Sequence, residues 1–329
     1  MGFRSRYQVF DGFQQRHGWL GFPIAVRQKY SDDQGGYLAA TVTYYGFFAI
    51  FPLLLVATTV LGFVLRGDRH LQQTIVNSAV GQFPLIGHDL HQHRLHGSVL
   101  GLVVGIVLSV WSGMGVFLAG ENAMNQLWGI PFRSRPDFLR SRLRALGMLV
   151  LLGLAAIAAT ILSAAGTFGA SYGVLWKVGA IALSTLLDIG LFWVAFRLLT
   201  ARDVAWSRHR GGAIAAGIAW QILQALGGYY VGHELKHASN VYGTFATVIV
   251  LLSFVYLTAH ITLLAAEANV VATRHLWPRS FSIILEQPST EADRRSLTDR
   301  ARVEERRGDQ RIEVTIPADS DNPRASGTD

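Results

Sequence analysis

The sequence predicts an all-α integral membrane protein, a bundle of six transmembrane helices with both termini in the cytoplasm. Long apolar stretches without charged side chains follow one another along the 329-residue chain, and half of its residues are hydrophobic. A helix needs roughly 20 such residues to cross about 30 Å of hydrocarbon. Lys and Arg are concentrated in alternate connections between these stretches. Because lipid offers no partner to backbone N–H and C=O groups, we expect helices in every span.

The order of the spans follows from the uncharged stretches. Four of them contain neither a charged side chain nor a His. The other two stretches are residues 178–196, interrupted only by Asp188, and residues 238–266, interrupted only by His260. Together they predict one transmembrane domain over residues 37–275. The predicted spans are residues 37–65, 97–120, 145–170, 176–197, 211–232 and 241–270.

The orientation follows from the charges beside the helix ends. Fourteen Lys and Arg residues fall on one side and five on the other, and the richer side is the cytoplasmic one. This predicts that both termini lie in the cytoplasm. The net charge of +7 is assigned to anionic lipid, which attracts each basic residue by about 1 kcal/mol, and not to nucleic acid. Headgroup-binding candidates are Arg133, Arg135, Arg140, Arg202 and Arg208.

The two ends of the chain differ from the middle. Residues 1–36 predict a cytoplasmic arm without a cleavable signal peptide, so that the first span acts as an uncleaved anchor. Aromatic residues at helical spacing beside Arg, from Phe3 to Phe13, indicate an interfacial helix, with a frayed arm as the alternative. Residues 276–329 are rich in Arg, Glu, Asp, Ser and Pro, which predicts a disordered cytoplasmic tail.

Polar residues inside the spans are the candidate site. Pro52 lies in the middle of the first span and predicts a kink there. Tyr44 and Tyr45 stand before it, and their hydroxyls need partners in hydrocarbon, so this half of the helix should face protein or water.

The last span carries a second polar pattern. Ser253, Tyr256, His260 and Glu267 are three, four and seven residues apart, which places them on one stripe that we expect to face inward. Asp188, in the fourth span, is costly to bury as a charge, so Asp188 and His260 are predicted to share a proton or to line a hydrated cavity. The structural alternative is hydrogen bonding that holds the bundle together.

Two motifs resemble metal sites. His233, Glu234 and His237 spell H-E-x-x-H, the zinc protease arrangement, but Lys236 lies between the ligands and no third ligand is specified. The loop that contains His91, His93 and His96 is a second and denser candidate for a metal site, with pH sensing as an alternative. We expect neither a metal site nor a cofactor.

Several ordered motifs resemble the YihY/BrkB family of multi-pass inner-membrane proteins, once mislabelled ribonuclease BN. They include the Phe51–Pro52 pair, the run from Trp111 to Pro131, the segment from Val241 to Gly243 and the run from Leu264 to Asn269. Ala49, Phe254 and Ala265 depart from the family pattern. The resemblance implies a six-helix protein of the bacterial cytoplasmic (inner) membrane, of unsettled activity and linked to envelope integrity. A ribonuclease or other enzyme is not expected, because the chain lacks an aqueous cluster of carboxylates.

Two functions remain open at the level of sequence. The first is a transporter, or a protein that translocates lipids or envelope components, with a polar cavity inside the bundle. The second is a non-enzymatic membrane scaffold that recruits an envelope protein through its outer loop or its tail. A zinc metalloprotease through His233, Glu234 and His237 is a remote third. The sequence does not set the oligomeric state.

Overall fold

The computed structural model describes residues 3–64, 99–168, 174–201, 204–242, 244–280 and 290–315. Helices occupy most of these residues, and no strand occurs among them, which confirms the all-α prediction for this part of the chain. Two short 3₁₀ turns, Phe132–Ser134 and Trp206–His209, lie between long helices. The α-helices are α1 (Phe3–Arg16), α2 (Gly18–Asp32), α3 (Gly35–Val64), α4 (Val99–Leu127), α5 (Phe138–Phe168), α6 (Val174–Leu199), α7 (Arg210–Tyr242), α8 (Thr244–Arg274) and α9 (Glu291–Arg302).

Four helices contain a segment that is long and apolar enough to cross a membrane. These segments, within the described residues, are Gly35–Val56, Val99–Leu127, Val178–Leu199 and Val248–Arg274. Helices α5 and α7 are 31 and 33 residues long, so each reaches over 40 Å at about 1.5 Å per residue. The protein therefore has several membrane-spanning helices, and six crossings with both termini in the cytoplasm stay a prediction.

The outer surface of the bundle is apolar. Large side chains such as Ile106, Leu186 and Leu226 are about half exposed or more. A soluble monomer rarely exposes so many large apolar side chains, whereas the hydrocarbon of a bilayer solvates them well. Between helices, small residues permit close approach: a Cβ on Gly217 would lie 2.5 Å from the side chain of Ile189.

The buried core lies toward one end of the bundle, where α2 packs against α8 and the end of α4. Its largest fully buried side chains include Trp128, Leu127, Phe196 and Leu276. Ala25 and Val26 of α2 belong to the same core. The segment expected as a cytoplasmic arm thus includes a helix that packs into the bundle, and the expected interfacial character of α1 stays a prediction.

The tail differs from the expected disorder, because residues 290–315 fold onto the same end. Thr290 caps α9 in a reciprocal capping box with Asp293. Asp293 also pairs with Arg279 at 2.9 Å, and Glu305 pairs with Arg133 at 2.8 Å. Composition alone predicts disorder because the segment has little apolar surface. Its acidic groups nevertheless find buried or half-buried arginines on the bundle, which composition does not reveal.

Candidate functional site

An open groove of about 1070 Å³ lies between α2, the start of α3, α7 and α8. Ala215 and Ala219 of α7 and Leu264 of α8 give it apolar walls. Arg27 is the formally charged side chain among its lining residues. Its polar lining includes Ser31, Gln34, Tyr30, Tyr37, Tyr256 and His260. The groove thus combines apolar walls, one cation and several hydrogen-bonding groups.

Tyr30 and His260 form the polar centre of this groove. The Tyr30 Oη lies 3.0 Å from His260 Nδ1, and the two rings meet edge to face at 5.0 Å. Burial raises the pKa of Tyr30, with smaller contributions from Tyr256 and Glu267, so the phenol stays protonated at neutral pH. A Cβ on Gly35 would lie 2.3 Å from the Tyr30 ring, so glycine is required where α3 begins beside it.

Behind the groove lies a buried cluster of Lys29, Asp33 and Glu267. Lys29 lies in the last turn of α2, Asp33 follows this helix directly, and Glu267 comes from α8. Lys29 Nζ donates to Asp33 Oδ2, lies 3.2 Å from Glu267 Oε1, and donates to the carbonyl of Leu127 at 3.1 Å. The residues are 3%, 4% and 0% exposed, respectively. The buried cluster therefore ties α2, α4 and α8 together.

Burial and pairing act in opposite directions on the groups of α2. Burial lowers the pKa of Lys29, but attraction to Glu267 and Asp33 outweighs it, so the pKa is raised and Lys29 stays charged. Burial raises the pKa of Asp33 despite the adjacent ammonium of Lys29. Two carboxyls thus compete for one buried cation. The i, i+4 spacing of Lys29 and Asp33 was the sequence signal for this pair, but it lies before the first predicted span and was not assigned to the site.

Asp188 lies apart from this site, between α6 and α7. Gln221 Nε2 donates to Asp188 Oδ2 at 2.8 Å and to Ser184 Oγ at 2.9 Å. Asp188 is not among the residues that line the groove, whereas His260 is. The structure therefore places Tyr256 and His260 together in the groove. Asp188 is hydrogen-bonded to Gln221, whereas His260 is hydrogen-bonded to Tyr30.

The first-span candidates also lie outside the groove lining. Tyr44 is 59% exposed and packs edge to face on Tyr45 and Phe48. The Tyr45 ring lies against Gly115, where a Cβ would come within 2.5 Å of it. Pro52 lies inside α3, and the helix continues on both sides of it.

The arginines predicted to bind headgroups divide into two kinds. Arg133 pairs with Glu305 and donates to the carbonyls of residues 308 and 310, both at 3.2 Å. Arg135 donates to Asn122 Oδ1 at 2.7 Å, and burial lowers its pKa. Arg140 and Arg208 have exposed side chains, while Arg202 lies outside the described residues.

The structure does not describe the side chains of the metal candidates. His91, His93 and His96 lie outside the described residues, and only the helical backbone of α7 is described at His233, Glu234 and His237. Among the residues that the structure describes, no group of three His, Asp or Glu side chains is placed to hold a metal ion.

His209 is a buried group that sequence reasoning missed. Its ring meets that of Trp128 at 5.2 Å, and neither ring nitrogen has a hydrogen-bond partner among the described residues. Burial, and then the charge of Arg197, lowers the pKa of His209 to about 4. It is a neutral core residue at pH 7, and its position in a basic turn gave no sequence signal of burial.

Comparison with known proteins gives one family and several relatives. A family model described as virulence factor BrkB matches residues 26–280. A UPF0761 membrane protein of Methylibium petroleiphilum is 25% identical over 88% of this chain and 70% of the relative. The inner membrane protein YhjD of Escherichia coli is 24% identical over 77% of this chain and 81% of the relative.

A third relative has a different kind of name. The ribonuclease-like protein YfkH of Bacillus subtilis is 22% identical over 77% of this chain and 95% of the relative. The chain spans between 42% and 61% of the length of five further UPF0761 membrane proteins. No solved structure matches the chain significantly.

Proposed function

This chain belongs to the virulence factor BrkB family of membrane proteins, and we propose that it binds anionic amphipathic lipids in the groove and moves them between leaflets. The groove carries this proposal. An amphipathic lipid needs apolar walls for its chains and hydrogen-bonding or charged groups for its head, and the groove offers both. The name of the Escherichia coli relative supports placement in the inner membrane.

The charge of the groove favours an anionic headgroup. Arg27 is exposed and lines the groove, and no acidic side chain is among the lining residues. The carboxylates nearby, Asp33 and Glu267, are buried and turned toward Lys29. An anion entering the groove therefore meets a cation and phenol or imidazole donors without facing an exposed carboxylate.

A nuclease role is not part of the proposal, although one relative is named ribonuclease-like. Phosphodiester cleavage needs carboxylates that bind metal in water, or an acid and base reachable by the substrate. Glu267 and Asp33 are instead sealed from solvent and paired with a lysine. Their arrangement suits a structural or proton-binding role.

The proposal is tested in vesicles that contain the purified full chain and a headgroup-labelled fluorescent phosphatidylglycerol. Reduction of the label from outside measures how fast inner-leaflet lipid becomes exposed. Ala219→Trp, which narrows the groove, should slow exposure by about tenfold if it removes roughly 1.4 kcal/mol of favourable contact. Ala182→Trp on the exposed face of α6 is the matched control and should keep the wild-type rate. Equal rates in both variants would refute a role for the groove.

The headgroup preference is tested separately with Arg27→Gln. Loss of about 1 kcal/mol of attraction should slow the anionic lipid roughly fivefold and leave a zwitterionic lipid unchanged. Arg307→Gln removes an exposed arginine that does not line the groove and serves as the control. If vesicles with and without protein expose lipid at the same rate, the translocation proposal falls. A membrane scaffold then becomes the better account.

A further inference from the structure

We propose that Glu267 holds an exchangeable proton in the buried cluster and that Tyr30 and His260 connect this proton to the groove. The inference rests on the proposed function, because it names the proton as the ion coupled to lipid movement. The site itself stands on geometry that does not depend on lipid: a buried acid, a shared cation and a hydrogen-bonded pair that reaches open space.

The charges of the buried cluster do not balance when every group is ionised. Asp33 and Glu267 contribute two negative charges and Lys29 one positive charge, and all three side chains are at most 5% exposed. An uncompensated buried charge costs several kcal/mol, even after the surroundings relax. One proton on a carboxyl makes the cluster neutral, so a proton is the ligand that the site requires.

Glu267 is the carboxyl that holds this proton. Asp33 makes the closer contact with Lys29 and is also attracted by Arg300 of α9, so its ionised form is better stabilised. Glu267 Oε1 lies farther from the ammonium, at 3.2 Å from Lys29 Nζ, and Oε2 has no hydrogen-bond partner among the described residues. The fully buried oxygens of Glu267 are therefore the poorest place for a negative charge.

The groups around Glu267 come from four helices. From α2, Asp32 adds negative potential to that of Asp33 and opposes the charge of Lys29. Helix α4 contributes the carbonyl of Leu127, which accepts from Lys29, and α9 contributes Arg300, which attracts Asp33. Tyr30 of α2, with Tyr256 and His260 of α8, faces the groove side. The negative groups outnumber the cations that face Glu267 directly, which favours the protonated acid.

The path to the groove runs through α2. Lys29 and Tyr30 lie in the last turn of this helix and Asp33 follows it directly, so the buried cluster and the groove share a wall. The Tyr30 phenol interacts electrostatically with Glu267 and is hydrogen-bonded to His260 Nδ1 at 3.0 Å. A phenol donates one proton while it accepts another, so it relays a proton without a change in its own charge.

The proton balance of the transfer is simple. The proton leaves the Glu267 carboxyl and binds the Tyr30 oxygen, while the Tyr30 hydroxyl passes its own proton to His260 Nδ1, so the phenol stays neutral and the imidazole becomes imidazolium. The buried cluster then carries one net negative charge and His260 one positive charge. His260 releases the proton to solvent in the open groove, and the reverse sequence reloads Glu267.

Infrared difference spectroscopy of the reconstituted full chain during a pH titration tests the site directly, because a protonated carboxyl has its own C=O stretching band. We expect this band in the wild type, its loss in Glu267→Gln, and its retention in Asp188→Asn. The Asp188 control changes a half-buried carboxyl in another part of the bundle. A band that survives Glu267→Gln unchanged would overturn the proposal.

Asp33→Asn keeps the proposal testable if Glu267→Gln does not yield folded protein. Removing the competing carboxylate leaves Lys29 to Glu267 alone, so Glu267 ionises and the band should weaken at neutral pH. An unaltered band in a folded Asp33→Asn variant would contradict the assignment as firmly as the first result.

Lipid exposure under a pH gradient separates this inference from the proposed function. Coupling predicts that the gradient accelerates exposure in the wild type and has no effect in Glu267→Gln. If the infrared band behaves as expected but lipid never moves, the proton site stands and the translocation proposal fails. If lipid moves at a rate that a sodium gradient changes and a pH gradient does not, translocation stands and the proton assignment is refuted.

Discussion

Replacing Lys29 by Met should lower the thermal unfolding midpoint by about 10 °C, because it leaves buried carboxyls without their cation. Lys29 Nζ contacts Asp33, Glu267 and the carbonyl of Leu127, and the residue is only 3% exposed. Removing one partner of a buried ion pair costs roughly 3–5 kcal/mol. A domain of this size loses about 2–4 °C per kcal/mol, which gives the stated shift.

The assay is thermal unfolding in detergent, followed by the fluorescence of the chain's Trp residues. Arg140→Met is the matched control, since its partner Asp137 lies 3.8 Å away and both side chains are exposed. An exposed pair of this kind contributes at most about 1 kcal/mol. The double variant Lys29→Met/Glu267→Gln should be more stable than the sum of the two single changes predicts, by roughly 0.5–3 kcal/mol. The reasoning is refuted if Lys29→Met unfolds at the temperature of the control, or if the double variant is strictly additive.

Three further predictions address other parts of the molecule. His209 has a pKa of about 4 against an ordinary value of 6.5, so the unfolded chain binds more protons between these pH values. Stability should fall by about 3 kcal/mol as pH drops through that window, and His209→Phe should remove this dependence in unfolding measured at several pH values. Asp293→Asn should detach the tail, costing about 2–3 kcal/mol and exposing residues 290–315 to limited proteolysis, whereas the exposed Glu291→Gln should not. The chain contains no Cys. Ser78→Cys, in the predicted outer loop between the first two spans, should therefore react with an impermeant maleimide on intact cells, and Ser207→Cys, in the turn before α7, only after permeabilisation. The reverse pattern would overturn the predicted orientation.

The helices were predictable because lipid imposes a simple rule on sequence. A span must satisfy its own backbone and remain apolar, so runs such as the one from Val99 to Gly120 are visible without any partner. Charged contacts follow no such local rule. Lys29 and Glu267 are 238 residues apart in sequence, and only the packing of α2 on α8 brings them together.

The groove shows the same division between local and distant information. Tyr256 and His260 were visible as a stripe on one helix, and they do line the groove. Their partner Tyr30 lies before the first span, in a segment whose mean hydropathy gives no sign that it enters the core. Asp188 was expected near His260 because both are costly inside a membrane. Each of the two residues instead has its own hydrogen-bond partner. Gln221 donates to Asp188, and Tyr30 is hydrogen-bonded to His260.

The contacts at the end of the bundle that carries the buried cluster bear on the number of crossings. Lys29 reaches the carbonyl of Leu127 across α3 and α4, and Asn269 reaches the carbonyl of Arg208 across α7 and α8. Between these, Asn125 Oδ1 accepts from the backbone N–H of Ala201, so α5 and α6 also begin and end near one another. Each pair of long helices thus begins and ends near the same end of the bundle, which is the arrangement that two crossings per pair would produce. Basic residues such as Lys29, Arg208 and Arg274 lie at this end. The positive-inside rule therefore predicts that this end faces the cytoplasm.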